Sequence, residues 1–221
     1  MKKLILFLFA LVLSFSIVAT ANATLTGFYE GADHFVYDSV LNITWYDDTN
    51  PWGTWQNAVT WANNLTVGST TAGSWSLPTT VDGPAVIGYS GTTTAGYNIT
   101  TSEMGYLYYV ELGNKGYQAT DGTEPQPGWG LVNVGPFTNL PLYQQYYHFW
   151  SGTGYTTDPS EAWIFYFTYG FQNVDPKDNG DYALAVHPGD IRSSSVPEPT
   201  TMLLLGLGLM GLAGVRRKLK K

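Results

Sequence analysis

Ala162-Trp-Ile-Phe-Tyr-Phe-Thr-Tyr-Gly-Phe-Gln172 is an uncharged run of aromatic, β-branched and small residues. Such side chains suit the pleated, half-buried surface of a sheet, so the reading is a strand over 162–172. Further strands are expected over 146–151 and 182–187, with Asn179-Gly180 the strongest turn signal between 162–172 and 182–187. The C-terminal half is therefore read as antiparallel strand.

Upstream the period changes from two to about four. Ser102 caps a helix over 103–112, with Glu103 in its first turn favouring the dipole and Met104, Leu107, Tyr108 and Leu112 on one face. Gly113-Asn114 stops it. Thr54 caps an earlier helix over 55–65, with Trp55, Ala58, Ala62 and Leu65 as its apolar stripe. Before that, Phe35-Val36-Tyr37 and Leu41-Asn-Ile-Thr-Trp45 flank the turn signal Asp38-Ser39 and read as a hairpin. Residues 73–91 and 118–130 are rich in glycine, proline and small polar residues and read as loop. Two helices followed by antiparallel strands predict an α+β domain with one curled sheet over 24–192.

Both ends of the chain lie outside that domain. Met1-Lys2-Lys3, an apolar stretch over 4–18 and the A-x-A site Ala21-Asn22-Ala23 form a secretory signal peptide over 1–23. Its partners would be the Sec translocon and signal peptidase. At the other end, Val196-Pro197-Glu198-Pro199 closes a linker over 193–199, and an apolar run over 200–215 precedes a basic tail over 216–221 that opens Arg216-Arg217-Lys218. The uncharged residues 201–215 would rise about 22 Å as a helix, short of a hydrocarbon core of about 30 Å. Snorkelling arginines and lysines extend that reach and keep the basic end cytoplasmic. The expectation is a transmembrane helix that anchors a precursor in the inner membrane with its body outside.

This order of proline-flanked glutamate, apolar helix and basic cluster resembles the PEP-CTERM sorting signal of Gram-negative bacteria. The resemblance implies recognition by exosortase, a membrane-embedded protease with a cysteine nucleophile that removes the tail, and delivery to the cell surface or extracellular matrix. It also implies a setting of exopolysaccharide production and biofilm formation. The same kind of tail is also called an ice-binding protein C-terminal domain, which makes ice binding a further class to weigh.

Without its two ends the body changes character. Over 24–195 the cations are Lys115, Lys177 and Arg192 against sixteen acids, a formal charge of −13, whereas the whole chain carries −7. Phosphate backbones would repel it, so nucleic acid is excluded as a partner. With no cysteine in the chain there are no disulfides and no thiolate chemistry. All eight tryptophans and all sixteen tyrosines fall in this body.

Several strings in the body carry a second resemblance: Asp38-Ser-Val-Leu-Asn-Ile-Thr-Trp45, Trp75-Ser-Leu-Pro-Thr79, Glu103-Met-Gly-Tyr-Leu107, Tyr147-His-Phe-Trp-Ser-Gly-Thr153, Ala162-Trp163 and Ala185-Val-His-Pro-Gly-Asp190. They are similar to the DUF1566 family, also known as the Lcl C-terminal domain. That resemblance implies a fold related to C-type lectin-like and formylglycine-generating-enzyme-like domains. Where the family has arginine this chain has Ser76 and His187, so no role of those guanidinium groups carries over. The cysteine pair of the formylglycine enzymes is absent, and that activity with it.

Catalytic and metal-binding patterns are sparse. His34, His148 and His187 show neither H-x-H nor H-E-x-x-H spacing, so no metal site is expected. Asp175-Pro-Lys-Asp-Asn-Gly-Asp181 fails as an EF-hand loop, because Lys177 and Val186 occupy ligand positions, and it reads as a solvated hairpin tip. Glu30, Asp33, Asp47 and Asp48 are a further acidic group. No G-x-S-x-G elbow is present, and Gly206, Gly208 and Gly211 match a nucleotide fingerprint without the strand and acidic residue it requires. No cofactor and no catalytic residue are assigned. Aromatic faces do suit sugars, and the loop residues Trp52 and Trp129 are the candidate glycan contacts. The expected function is therefore a non-enzymatic carbohydrate-binding or structural component at the surface. A glycan-degrading enzyme using carboxylates, an ice-binding surface and a protein-binding surface are the alternatives.

Overall fold

A computed structural model describes residues 25–49, 51–140 and 147–192. The expected signal peptide with Ala21 and Ala23, the expected sorting motif Val196, Pro197, Glu198 and Pro199, the apolar run over 200–215 and Arg216, Arg217 and Lys218 lie outside the described residues. Among the described residues no helix is long and apolar enough to cross a membrane.

The first sheet begins with a strand the sequence did not suggest. β1 (Leu25–Glu30) pairs with β2 (Asp33–Asp38) along its whole length across a two-residue turn in which Gly31 takes φ 64°. Most of β1 is partly or fully exposed, so its alternation of apolar and polar residues is weak. β2 then turns into β3 (Ile43–Tyr46) as expected, because the Asp38 carboxylate accepts hydrogen bonds from the Val40 and Leu41 N–H groups, each at 2.9 Å. On the far side of β3 lies β9 (Ala185–Pro188), which completes the order β1-β2-β3-β9.

A second sheet has the order β4-β5-β8-β7-β6, with β4 (Ile87–Gly88), β5 (Ala95–Tyr97), β6 (His148–Gly154), β7 (Glu161–Tyr166) and β8 (Phe171–Pro176). Every pair in it is antiparallel except β4 with β5. The fold is thus α+β with two sheets, where one curled sheet was expected. The single strand read over 162–172 is in fact two. It breaks at Phe167–Gly170, where Gly170 takes φ 66°, and the two halves fold back as a hairpin with Tyr166 opposite Phe171. Asn179-Gly180 also differs from expectation. It leads from the second sheet towards the first, so it closes no hairpin.

Helix α1 (Trp55–Asn64) is capped by the Thr54 hydroxyl, which accepts from the Asn57 N–H at 3.3 Å, and it buries Ala58 and Ala62. Trp55 is only half-buried, a departure from its expected place in the core. Helix α2 (Glu103–Tyr106) is capped by Ser102, whose hydroxyl accepts from the Gly105 N–H at 3.0 Å. It then widens into a π-turn over Leu107–Glu111, with the Leu112 N–H reaching back to the Leu107 carbonyl at 2.9 Å. The wider turn brings the consecutive residues Leu107, Tyr108 and Tyr109 inward, and the Tyr109 hydroxyl donates to the Gly170 carbonyl. Trp45, Met104, Leu107, Phe149 and Phe165 belong to one buried cluster, which ties the first sheet and α2 to the inner face of the second sheet.

Candidate functional site

Strand alternation assigns the two faces of the second sheet. Phe149 and Phe165 are paired across β6 and β7 and face the core. One residue along, the register sets Tyr97 opposite Phe171, Phe171 opposite Tyr166 and Tyr166 opposite His148. Four rings therefore lie side by side across four strands, with centroids 4.8, 5.8 and 3.5 Å apart. All four are half-buried, so each keeps part of its surface in water. Direct cross-strand neighbours of this kind stabilise a sheet as well as line it.

The row continues beyond β5 into the long loop. Tyr117 lies 6.5 Å from Tyr97 and packs edge-on against Trp129 at 5.0 Å. Trp129 in turn stacks on Tyr169, with centroids 5.4 Å apart and planes within 13°. At the β6 edge, Asp181 and Gly53 exchange two backbone hydrogen bonds of 2.9 and 3.1 Å, and the Tyr182 N–H donates to the His148 carbonyl at 3.0 Å. Trp52, 55 % exposed, packs edge-on against Tyr182 at 5.2 Å. Trp129 thus extends the row beyond β5, whereas Trp52 packs on Tyr182, which in turn packs against the core ring of Phe149. Sequence reasoning had singled out both as loop residues but had missed the ring row.

Beside the row an acidic group gathers around His148. Its Nδ1 lies 3.1 Å from Asp181 Oδ1, and Asp175, on the same strand face as Phe171, brings the three potential ligand atoms within 4.8 Å of one another. Burial pushes the Asp181 carboxyl up against the opposing pull of His148, and the neighbouring charge of Asp175 pushes it further. The Tyr166 phenol is pushed up to about 12, first by burial and then by Asp175 and Asp181.

The other acidic group serves the scaffold. Asp47 Oδ2 lies 2.6 Å from His34 Nδ1 and accepts from both the N–H and the hydroxyl of Thr138, while Oδ1 accepts from the Asn139 N–H. Glu30 and Asp33 accept from the Ser69 and Gly68 N–H groups, holding the loop after α1 against the first hairpin. These carboxylates do not converge on a common point with Asp47. His187 packs edge-on against Trp75 at 5.3 Å, and Ser76 exchanges backbone hydrogen bonds with Val186, so both positions support the first sheet.

Outside the described residues, comparison with known families is decisive for the tail. Residues 195–218 match the PEP-CTERM protein-sorting motif. The motif implies an exported protein directed to the cell surface and processed by exosortase. No curated protein and no solved structure matches the chain. The DUF1566 resemblance of the body finds no support in these comparisons.

Proposed function

We propose that this exosortase-sorted protein contacts exopolysaccharide through the ring row of its second sheet, as a non-enzymatic, lectin-like component of the surface or biofilm matrix. The observation that supports this reading is the continuity of the row from Trp129 through Tyr97, Phe171 and Tyr166 to His148, with neighbouring rings 3.5 to 6.5 Å apart. Half-buried rings are held rigid by their packing, and their free faces stack on the apolar faces of sugars at little further entropic cost. The acidic surface around them favours neutral polysaccharide, or anionic polymer bridged by cations, over nucleic acid.

The experiment is a binding isotherm of the full chain with the exopolysaccharide of a producing strain, followed by sizing of the recovered polymer. Trp129→Ala and Tyr97→Ala should each weaken binding about five- to thirtyfold, the equivalent of roughly 1–2 kcal/mol per stacked contact. The polymer should return at its original length. Shortened polymer that depends on a carboxylate would replace this reading with a hydrolase. Unchanged binding in both variants would remove the row from the interface.

A further inference from the structure

We propose that His148, Asp175 and Asp181 form a site for a first-row divalent cation of the zinc class. The three come from the start of β6, the end of β8 and the segment beyond it, so their spacing in sequence matches no metal motif. The fold nonetheless brings one potential donor atom of each within 4.8 Å of the other two.

The distances suit a small ion. Bonds of about 2.0–2.1 Å in a tetrahedron set neighbouring donors about 3.3–3.4 Å apart. His148 Nδ1 and Asp181 Oδ1, at 3.1 Å, stand close to that spacing, while Asp175, within 4.8 Å of both and held by the Asn179 side-chain amide at 2.9 Å, has at most about 1.5 Å to close. A simple ion pair between His148 and Asp181 would account for that one contact alone. It leaves two facts over. The Asp181 side chain is 1 % exposed, yet its Oδ2 is buried without a hydrogen-bond partner, an arrangement that costs stability unless something fills it. Asp175 adds a second negative charge beside this carboxylate, and Lys177 does not neutralise it. The lysine Nζ donates to the Pro159 carbonyl at 2.8 Å and sits 4.4 Å from the Trp55 ring centroid. A divalent cation accounts for both the unpartnered oxygen and the paired charges.

The donor set also selects the ion. Calcium and magnesium take six or more oxygen ligands, whereas one imidazole nitrogen with two carboxylates suits zinc and its neighbours. Three protein donors leave a fourth position for water. The frame is rigid, since Asp181 is bonded to Gly53 in both directions and the His148 ring rests 3.5 Å from that of Tyr166. None of this depends on glycan contact.

The test is calorimetric titration of the purified, chelator-stripped full chain with zinc chloride and, separately, calcium chloride. Zinc should bind at one ion per chain, and calcium much more weakly. His148→Ala and Asp175→Asn should each weaken zinc binding by more than the roughly 10- to 100-fold that a mere supporting residue costs. Asp178→Asn on the same loop and His187→Ala on the other sheet should leave it unchanged. Asp175 is partly exposed and its variant keeps the fold, checked by circular dichroism, so its result stands even if His148→Ala misfolds. Absence of stoichiometric zinc binding, or full affinity in Asp175→Asn, overturns the site. Calcium binding as tight as zinc overturns the choice of ion.

Discussion

Trp52 lies directly over Gly180: a Cβ on that glycine would come within 1.9 Å of the indole Nε1 and 2.5 Å of Cε2. Gly180 does not adopt positive φ, so the glycine answers to the indole above it and not to a left-handed turn. The turn itself is closed one residue earlier, by the Asn179 N–H donating to the Pro176 carbonyl at 2.9 Å.

Gly180→Ala should therefore act through Trp52. The expected cost is about 1–2 kcal/mol, within the range for overpacking, because an indole that is 55 % exposed can swing outward. Chemical denaturation of both single variants and the double variant checks this. In a Trp52→Ala background the glycine substitution should cost clearly less. Equal costs in the two backgrounds would show that the indole is not the obstacle.

Asp47→Ala should be far more damaging than a surface change. It strips acceptors from His34, Thr138 and Asn139 at once, and leaves the buried His34 ring without its partner. Leaving a buried polar group without its partner costs about 1–3 kcal/mol, and the three lost bonds from Thr138 and Asn139 cost about 1 kcal/mol each. Urea unfolding measures the loss, and amide exchange at Thr138 and Asn139 should quicken most. A loss near zero would mean that the network contributes nothing to holding residues 137–140.

Stability should rise as the pH is lowered from neutral towards the ordinary carboxyl range. Burial raises the carboxyls of Asp38, Glu103 and Glu111, and the charge of Asp38 adds to the shift of the other two. An acid with a folded-state value above its unfolded one, about 3.9 for aspartate and 4.3 for glutamate, binds its proton more tightly when folded. Its contribution is complete below the unfolded value and is lost as pH climbs through the folded one. Asp82, Asp121 and Asp158 shift the opposite way, held low by hydrogen bonds from Thr156, Thr123 and Ser160, but at the surface, where solvent screens them. Melting temperature against pH reads the balance, and Glu111→Gln should flatten the slope. A melting temperature that falls over this interval would contradict the raised values.

Glu198→Ala in the sorting motif should leave uncleaved precursor in an exosortase-bearing host. Immunoblots of membrane and medium fractions distinguish precursor from released product. Normal processing of the variant would remove the glutamate from the recognition element within residues 195–218.

The tail, the capped helix starts and the α+β class were legible in the sequence because each depends on neighbours along the chain. Thr54 and Ser102 cap the helices that follow them, and the stripe Met104, Leu107, Tyr108 and Leu112 is buried as its spacing required. Trp129 and Trp52 were also visible, as aromatic residues in glycine- and proline-rich loops. Other features depend on partners far away in sequence. A hairpin and a long strand share one pattern of aromatic residues, and only the turn at Gly170, which brings Tyr166 opposite Phe171, tells them apart. The ring row needs β5, β8, β7 and β6 in that order, and no local period encodes strand order. His148 stands 27 residues from Asp175, and only the tertiary fold brings their side chains together. Local chemistry decided the elements of this protein, and long-range pairing decided which side chains meet.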